Sequence, residues 1–237
     1  MRIRGERECA ACGRQWSYYE TGSVSCPACG SIRSVGRDDE RQPHTDGPAA
    51  LDLTEARSLV DSQPIGAVAD AAEEAAREYR RKRGFLRGGD LQPLDDRYVA
   101  AVELRHAAAA VKRNRDQDDD LHGYFYALLA GADTGERPPA DHIPPGTRWP
   151  RGLTAATIVE DYRRDVSAWL EDHPTPAMRE VSDALDQQAT RVAALDGDVP
   201  AQKADRLIAI AQDLGTFLTE GDEASLTRAE DRLMRLQ

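Results

Sequence analysis

The chain has 237 residues, a length that suits one or two domains together with a small module. Hydrophobic residues make up 40% of it and aromatic residues 5%, which predicts a core rich in alanine. The formal net charge is −11. No run of 18 apolar residues occurs, so we expect no membrane-spanning helix. The first residues lack an apolar signal stretch, so we expect no secretion.

The four cysteines of the chain form two Cys-x-x-Cys pairs, Cys9 with Cys12 and Cys26 with Cys29. Thirteen residues separate the pairs, enough for a β-hairpin that brings the four thiolates together. Four thiolates in this spacing form a tetrahedral site, which predicts one Zn²⁺ per chain, with a rubredoxin-like iron as the alternative. Such a closed site stabilises a fold and leaves no position open for catalysis. Paired thiols without a secretory signal favour the cytoplasm.

Residues 1–37 are predicted to form a small β module around these cysteines. Gly13 and Gly30 follow the second cysteine of each pair, where a left-handed backbone lets amides point at sulfur. The segment from Gln15 to Tyr19 has strand character. Its aromatic residues Trp16 and Tyr19 are candidate contacts for a base or a protein partner; alternatively, aromatic residues of this segment pack over the metal site and the linker.

The stretch CAACGRQWSYYETGSVSCPACGSIRSVG resembles a zinc ribbon of the transcription-factor-IIB type, and the resemblance covers about a sixth of the chain. It implies that Cys9, Cys12, Cys26 and Cys29 are zinc ligands. Ribbons of this type contact RNA polymerase, ribosomes or nucleic acid, or brace a larger protein. Residues 1–37 carry a side-chain charge of +3, which leaves −14 for residues 38–237, so the ribbon is the better surface for an anionic partner.

Residues 38–50 are polar with two prolines and are predicted to be a linker, whereas residues 51–237, the body, are predicted to be helical without a convincing strand. The Pro-rich segment 133–153 is a candidate boundary between two helical halves. The expected helices are 54–62 with Thr54 as N-cap, 64–83 ended by Gly84, 95–115, one begun by Asp118, Asp119 and Asp120, one capped by Thr154, 176–195, 201–219, and one opened by Asp222.

A dense basic run ends the second of these helices. Cations suit a helix C-terminus, and the default expectation is a solvated face paired with neighbouring acids. The alternative is a nucleic-acid contact through Arg80, Arg81 and Arg83. The run consists of Arg77, Arg80, Arg81, Lys82, Arg83 and Arg87.

The sequence lacks recognisable catalytic and nucleotide-binding motifs. Glu103 and His106 have the Glu-x-x-His spacing of di-iron bundles, but no second copy occurs. No phosphate-binding loop, dinucleotide fingerprint or nucleophile elbow is present. The sequence therefore predicts no catalytic residue.

Only three of the 31 basic residues are lysines. An acidic, lysine-poor and alanine-rich composition resembles that of proteins from extreme halophiles, whose charged surface keeps them soluble in concentrated salt. The arginine bias of a GC-rich genome is the alternative. In molar salt, loose electrostatic binding of nucleic acid is nearly lost, so a partner would be held by shape, apolar contact or specific hydrogen bonds.

These observations predict a small N-terminal β zinc ribbon followed by a mostly all-α helical-bundle body. With its ribbon, the chain resembles an uncharacterised halophilic archaeal family. We expect a non-enzymatic adaptor that binds a protein of the transcription or translation machinery, or nucleic acid. The alternatives are an enzyme-like helical domain braced by the ribbon, and a structural accessory protein that self-assembles through the helices after residue 175.

Overall fold

The computed structural model describes residues 1–113 and 118–236. Five short strands lie within the first 43 residues and helices dominate from residue 54 onward, which confirms the predicted fold class. The strands are β1 Arg2–Ile3, β2 Glu6–Cys9, β3 Gln15–Ser17, β4 Ser34–Gly36, β5 Gln42–Pro43, β6 Leu86–Arg87 and β7 Asp90–Leu91. The helices are α1 Tyr18–Thr21, α2 Thr54–Ser58, α3 Ile65–Lys82, α4 Asp96–Arg113, α5 Asp119–Gly131, α6 Trp149–Leu170, α7 Arg179–Ala194, α8 Ala201–Glu220 and α9 Glu223–Met234.

The N-terminal module, residues 1–37, is built on a three-stranded antiparallel sheet in the order β3-β2-β4. Cys9 at the end of β2 pairs with Ser34 in β4. The sheet therefore places the first cysteine pair beside the segment that follows the second cysteine pair. The predicted strand from Gln15 ends earlier than expected. Tyr18 begins the one-turn helix α1, which ends at Gly22 in the left-handed conformation with φ 62°.

The body has one continuous hydrophobic core that extends from Leu51 to Leu236. The core includes residues before and after the Pro-rich segment 133–153, and the division of the chain into domains stays a prediction. Buried alanines such as Ala72 and Ala108 let neighbouring helices approach closely, as the alanine-rich composition predicts. Among the described helices, none combines the length and the apolar content that a membrane span needs.

Most of the predicted helices form, but some details were wrong. Helix α6 begins at Trp149 rather than after Thr154, because Pro150 fits the first helical turn, where its missing amide has no partner to lose. The Thr154 hydroxyl accordingly donates to the Pro150 carbonyl at 2.8 Å inside the helix. Thr54 is the first residue of α2 rather than its cap, and Asp52 accepts its amide hydrogen bond at 2.9 Å.

Two further differences concern strands and helix ends. The body contains a two-stranded hairpin, β6 with β7, that turns at Gly88 and Gly89, both with positive φ. Helix α2 ends at Ser58, short of the predicted residue 62. The predicted end of the third helix, residues 114 and 115, lies outside the described residues.

The second half of the segment 38–50 lies against the body. Asp46 is fully buried and accepts hydrogen bonds from Arg83 at 2.6 Å and from Arg87 at 2.8 Å. The Thr45 hydroxyl donates to Asp165 at 2.6 Å, and the amides of Thr45 and Asp46 both donate to the Leu86 carbonyl. Thr45 and Asp46, two of the polar residues that predict a linker, are therefore partners of body residues and fix this part of the segment to the body.

A buried ionic network ties α4, α5, α6 and α8 to the Pro-rich segment. Glu103 is fully buried and accepts hydrogen bonds from Arg137 Nη1 at 2.7 Å, from Arg151 Nε at 3.0 Å, and from the Tyr124 hydroxyl. Asp205 accepts from Arg151 at 3.3 Å and from Arg137 at 3.4 Å. Two acids balance two arginines, which is the condition under which charges can be buried.

His106 does not share this network with Glu103. Its Nε2 lies 3.1 Å from the Thr157 hydroxyl, while Glu103 faces the arginines in the core. The Glu-x-x-His spacing therefore does not create a joint site in this chain.

Replacing Glu103 with Gln should destabilise the body strongly, because Arg137 and Arg151 would share Asp205 as their one remaining carboxylate. Breaking a buried pair costs about 3–5 kcal/mol, to be measured by urea denaturation. Glu160→Gln is the matched control, since Glu160 on α6 is exposed and forms no ion pair with the described residues. Equal losses in the two variants would contradict a structural role of the network.

His106 should make the protein acid-sensitive. Burial, together with Arg105 and Arg80, lowers the pKa of His106 from 6.5 to about 3, so the folded state stays neutral where the unfolded state binds a proton. The free energy of unfolding should therefore fall as the pH decreases from 6.5 toward 3, at most by about 1.4 kcal/mol per pH unit. Urea denaturation between pH 7 and pH 5 should give a shallower pH slope for His106→Gln, and an unchanged slope would contradict this account.

Candidate metal centre

The four cysteine sulfurs come together at one end of the N-terminal sheet. They all lie within 4.8 Å of one another, and Cys9 Sγ to Cys29 Sγ and Cys12 Sγ to Cys26 Sγ both measure 3.6 Å. Sulfurs around a tetrahedral ion with bonds of about 2.3 Å lie about 3.8 Å apart. A disulfide would require about 2.0 Å, and all four thiols are free. The cluster therefore has the geometry to hold one metal ion.

Each cysteine pair turns around its glycine as the sequence predicts. Gly13 and Gly30 have φ values of 73° and 72°, and their amides donate to the carbonyls of Cys9 and Cys26 at 2.9 Å. A Cβ at either glycine would meet no atom within 4 Å, so the backbone conformation rather than space requires glycine. The turn also aims the Ala11 amide at Cys9 Sγ, at 3.4 Å.

The four thiols divide into two classes by their pKa. Burial acts to raise the pKa of Cys9, but the amides of Ala11 and Cys12 outweigh it and lower the pKa to about 6. Burial is likewise outweighed at Cys26, whose pKa is also lowered. At Cys12 the Arg14 amide acts to lower the pKa, but the neighbouring thiols raise it to about 12. A metal cation that binds all four sulfurs must displace the protons of the thiols whose pKa is raised, so metal uptake releases protons.

The N-terminal module has very little hydrophobic core besides its cysteines. Its buried apolar cluster consists of Cys9, Trp16 and Cys26. Trp16 is 8% exposed and its indole N–H donates to the Ser23 carbonyl at 3.0 Å. This position matches the alternative in which the ring packs over the metal site, and it leaves little of the ring for a partner.

Tyr19, the second candidate contact, lies between the module and the segment 38–50. Its ring packs against His44 with centroids 5.0 Å apart, and Tyr18 contacts the same imidazole edge-on at 5.7 Å. The Tyr19 hydroxyl accepts from the Gly5 amide at 3.1 Å and lies 3.4 Å from Asp38. Tyr19 is therefore partly buried by contacts within the chain, and its role as a partner contact stays a prediction.

The basic run on α3 does not join the cysteine site. Arg80 donates to the buried Asp161 carboxylate at 2.7 and 2.8 Å, and Arg83 donates to the buried Asp46. Of the three arginines predicted as contacts, Arg81 is the exposed one, with 73% of its side chain accessible. Arg80 and Arg83 thus bind carboxylates inside the protein. A partner contact through the basic run stays a prediction.

Cys26→Ser should abolish metal binding and the order of the N-terminal module while leaving the helicity of the body largely intact. The reason is that the hydrophobic core of the body begins at Leu51 and contains no residue of the module. Metal content and far-UV circular dichroism measure the two effects. Ala28→Ser is the control, because Ala28 is exposed and lies between Cys26 and Cys29, and this variant should retain the metal. A global loss of helicity in Cys26→Ser would show instead that module and body are one folding unit.

No curated protein and no solved structure matches the chain. A family model described as a family of unknown function, DUF7117, matches residues 1–233 and so includes both the N-terminal module and the helical body. The chain therefore belongs to the DUF7117 family.

Proposed function

We propose that the protein is a zinc-binding, non-enzymatic adaptor whose N-terminal ribbon, of the transcription-factor-IIB type, binds a protein of the transcription or translation machinery. Four sulfur donors in tetrahedral spacing suit Zn²⁺, and a site with four protein ligands is structural rather than catalytic. Rubredoxin-like iron is the alternative metal. A halophilic archaeal origin, supported by the composition, and a cytoplasmic location, supported by four free thiols, belong to the same proposal.

The observation that carries the proposal is a ribbon patch of exposed aliphatic side chains, Val24, Ile32 and Val35. Among the described residues, six large apolar side chains are exposed, and these three account for half of them. Ile32 is 76% exposed and Val35 58%. The Ser34 hydroxyl donates to the Val24 carbonyl at 2.9 Å, which holds Val24 beside strand β4. Three exposed aliphatic side chains within twelve residues of a small module are typical of a protein interface.

Charge around the ribbon patch supports a partner with an acidic surface. Arg14 and Arg33 are exposed and form no ion pair with any residue that the structure describes. Salt screens such exposed charges but not apolar contact, so the aliphatic side chains would carry the affinity in concentrated salt. Nucleic acid is the less favoured partner, because Arg80 and Arg83 on the body already bind carboxylates.

Self-assembly through the last helices has weaker support. In the described part of α7 to α9 and their connections, the large exposed apolar side chains are Leu195 and Met234. Two separate residues do not make the apolar stripe that a helical interface requires. The enzyme-like alternative is favoured by one observation, a cleft in the body that several charged side chains line.

The ribbon patch can be tested by recovery of the tagged protein from its own cells in concentrated salt. We expect a polymerase or ribosomal component to co-purify with the wild type and to be lost with the double variant Ile32→Ser, Val35→Ser. Leu195→Ser combined with Met234→Ser is the matched control, because it also removes two exposed apolar residues. Retention of the component by the patch variant, or recovery of no such component by the wild type, would contradict the proposal.

A further inference from the structure

A cleft of about 510 Å³ lies between α5 and the Pro-rich segment of the body. Pro138, Pro139 and Pro144 form one wall, while Gly123 and Tyr124 of α5 form the other. The cleft belongs to the helical body and shares no residue with the cysteine site or the ribbon patch. Clefts with apolar walls and a few converging polar groups are the common form of small-molecule sites.

Arg137 lines this cleft and is held rigidly by the buried network beneath it. Its Nη1 donates to Glu103 at 2.7 Å and lies 3.4 Å from Asp205, and only 18% of the side chain is exposed. Its other two nitrogens, Nε and Nη2, donate to no described residue. A guanidinium fixed on one side with a second donor edge left over is preorganised to bind a carboxylate.

The other side chains with a full charge in the cleft are acidic, and the imidazole of His142 lies among them. Asp119 and Asp120 in the first turn of α5, and Glu136 in the loop, line the cleft without forming an ion pair with the described residues. These carboxylates would repel a simple anion that approached Arg137. A molecule with a carboxylate at one end and a cationic group at the other satisfies both charges at once.

Gly123 keeps the space between these charges open. It lies inside α5, where glycine is the least favourable residue other than proline, and a Cβ there would meet no atom within 4 Å. Packing against the rest of the protein therefore does not require glycine at this position. A side chain at residue 123 would project into the cleft.

We propose that this cleft binds a small dipolar molecule of the amino-acid class, with its carboxylate on Arg137 and its ammonium group near Asp119 and Asp120. The buried Glu103 holds the arginine in place, and the proline wall and Tyr124 contact the apolar part of the ligand. This site is separate from the adaptor role of the ribbon, so either can fail without the other.

Calorimetric titration of the full-length protein at fixed ionic strength tests the charge pattern. The probe is 6-aminohexanoate, and hexanoate and hexylamine are its matched single-charge controls. We expect the dipolar probe to bind at least about tenfold more tightly than either control. Glycine and 4-aminobutyrate then measure the separation between the two charged ends. Equal binding of hexylamine, or no binding of any of these amino acids, would overturn the proposal.

Substitutions in the cleft test whether 6-aminohexanoate binds there. Gly123→Leu should fill the cleft and weaken 6-aminohexanoate binding about tenfold or more, while circular dichroism stays unchanged. Gly66→Leu is the control, because Gly66 is also a helical glycine where a Cβ would meet no atom within 4 Å, and it lies outside the cleft. Arg137→Lys keeps the charge but removes the second donor edge, and it should also weaken binding. Wild-type affinity in Gly123→Leu would place the ligand elsewhere and overturn the assignment.

Discussion

The meeting of four cysteine sulfurs is the interaction around which the N-terminal module is built, because the module has very little hydrophobic core of its own. Its buried apolar cluster is limited to Cys9, Trp16 and Cys26, and two of these three are cysteines. A module of this size buries too little apolar surface to offset the entropy of ordering its chain. A metal ion bound by the four thiolates would supply the missing stabilisation, and the left-handed backbone at Gly13 and Gly30 suits the need to aim amides at sulfur.

The body stabilises itself by different means and then positions the module. Its alanine-rich helices pack around one continuous core, and the ionic network of Glu103, Arg137, Arg151 and Asp205 joins helices α4, α6 and α8 to the Pro-rich segment. Asp46 connects the two parts, since it lies in the segment after the module and binds cations of the body. The aliphatic patch is therefore presented on a module that is fixed to a larger acidic scaffold.

The sequence predicts local features well, because local chemistry determines them. Two Cys-x-x-Cys pairs with glycines predict the cysteine cluster, and apolar residues at three- and four-residue steps predict the helices. The start of α6 was missed because Pro150 could be taken either as a loop residue or as a first-turn residue. The partners of Glu103 were missed for another reason: Arg137 and Arg151 lie 34 and 48 residues away, and only packing brings them to it. The burial of Asp46 depends in the same way on Arg83 and Arg87, 37 and 41 residues distant.

The most direct test of this account is the metal content of the purified full-length protein, measured per chain by elemental analysis. The account predicts one zinc ion per chain, held by Cys9, Cys12, Cys26 and Cys29. A well-folded protein with no bound metal would contradict the claim that the cysteine site holds the module together. One iron per chain would keep the structural role of the site but contradict its assignment as a zinc ribbon.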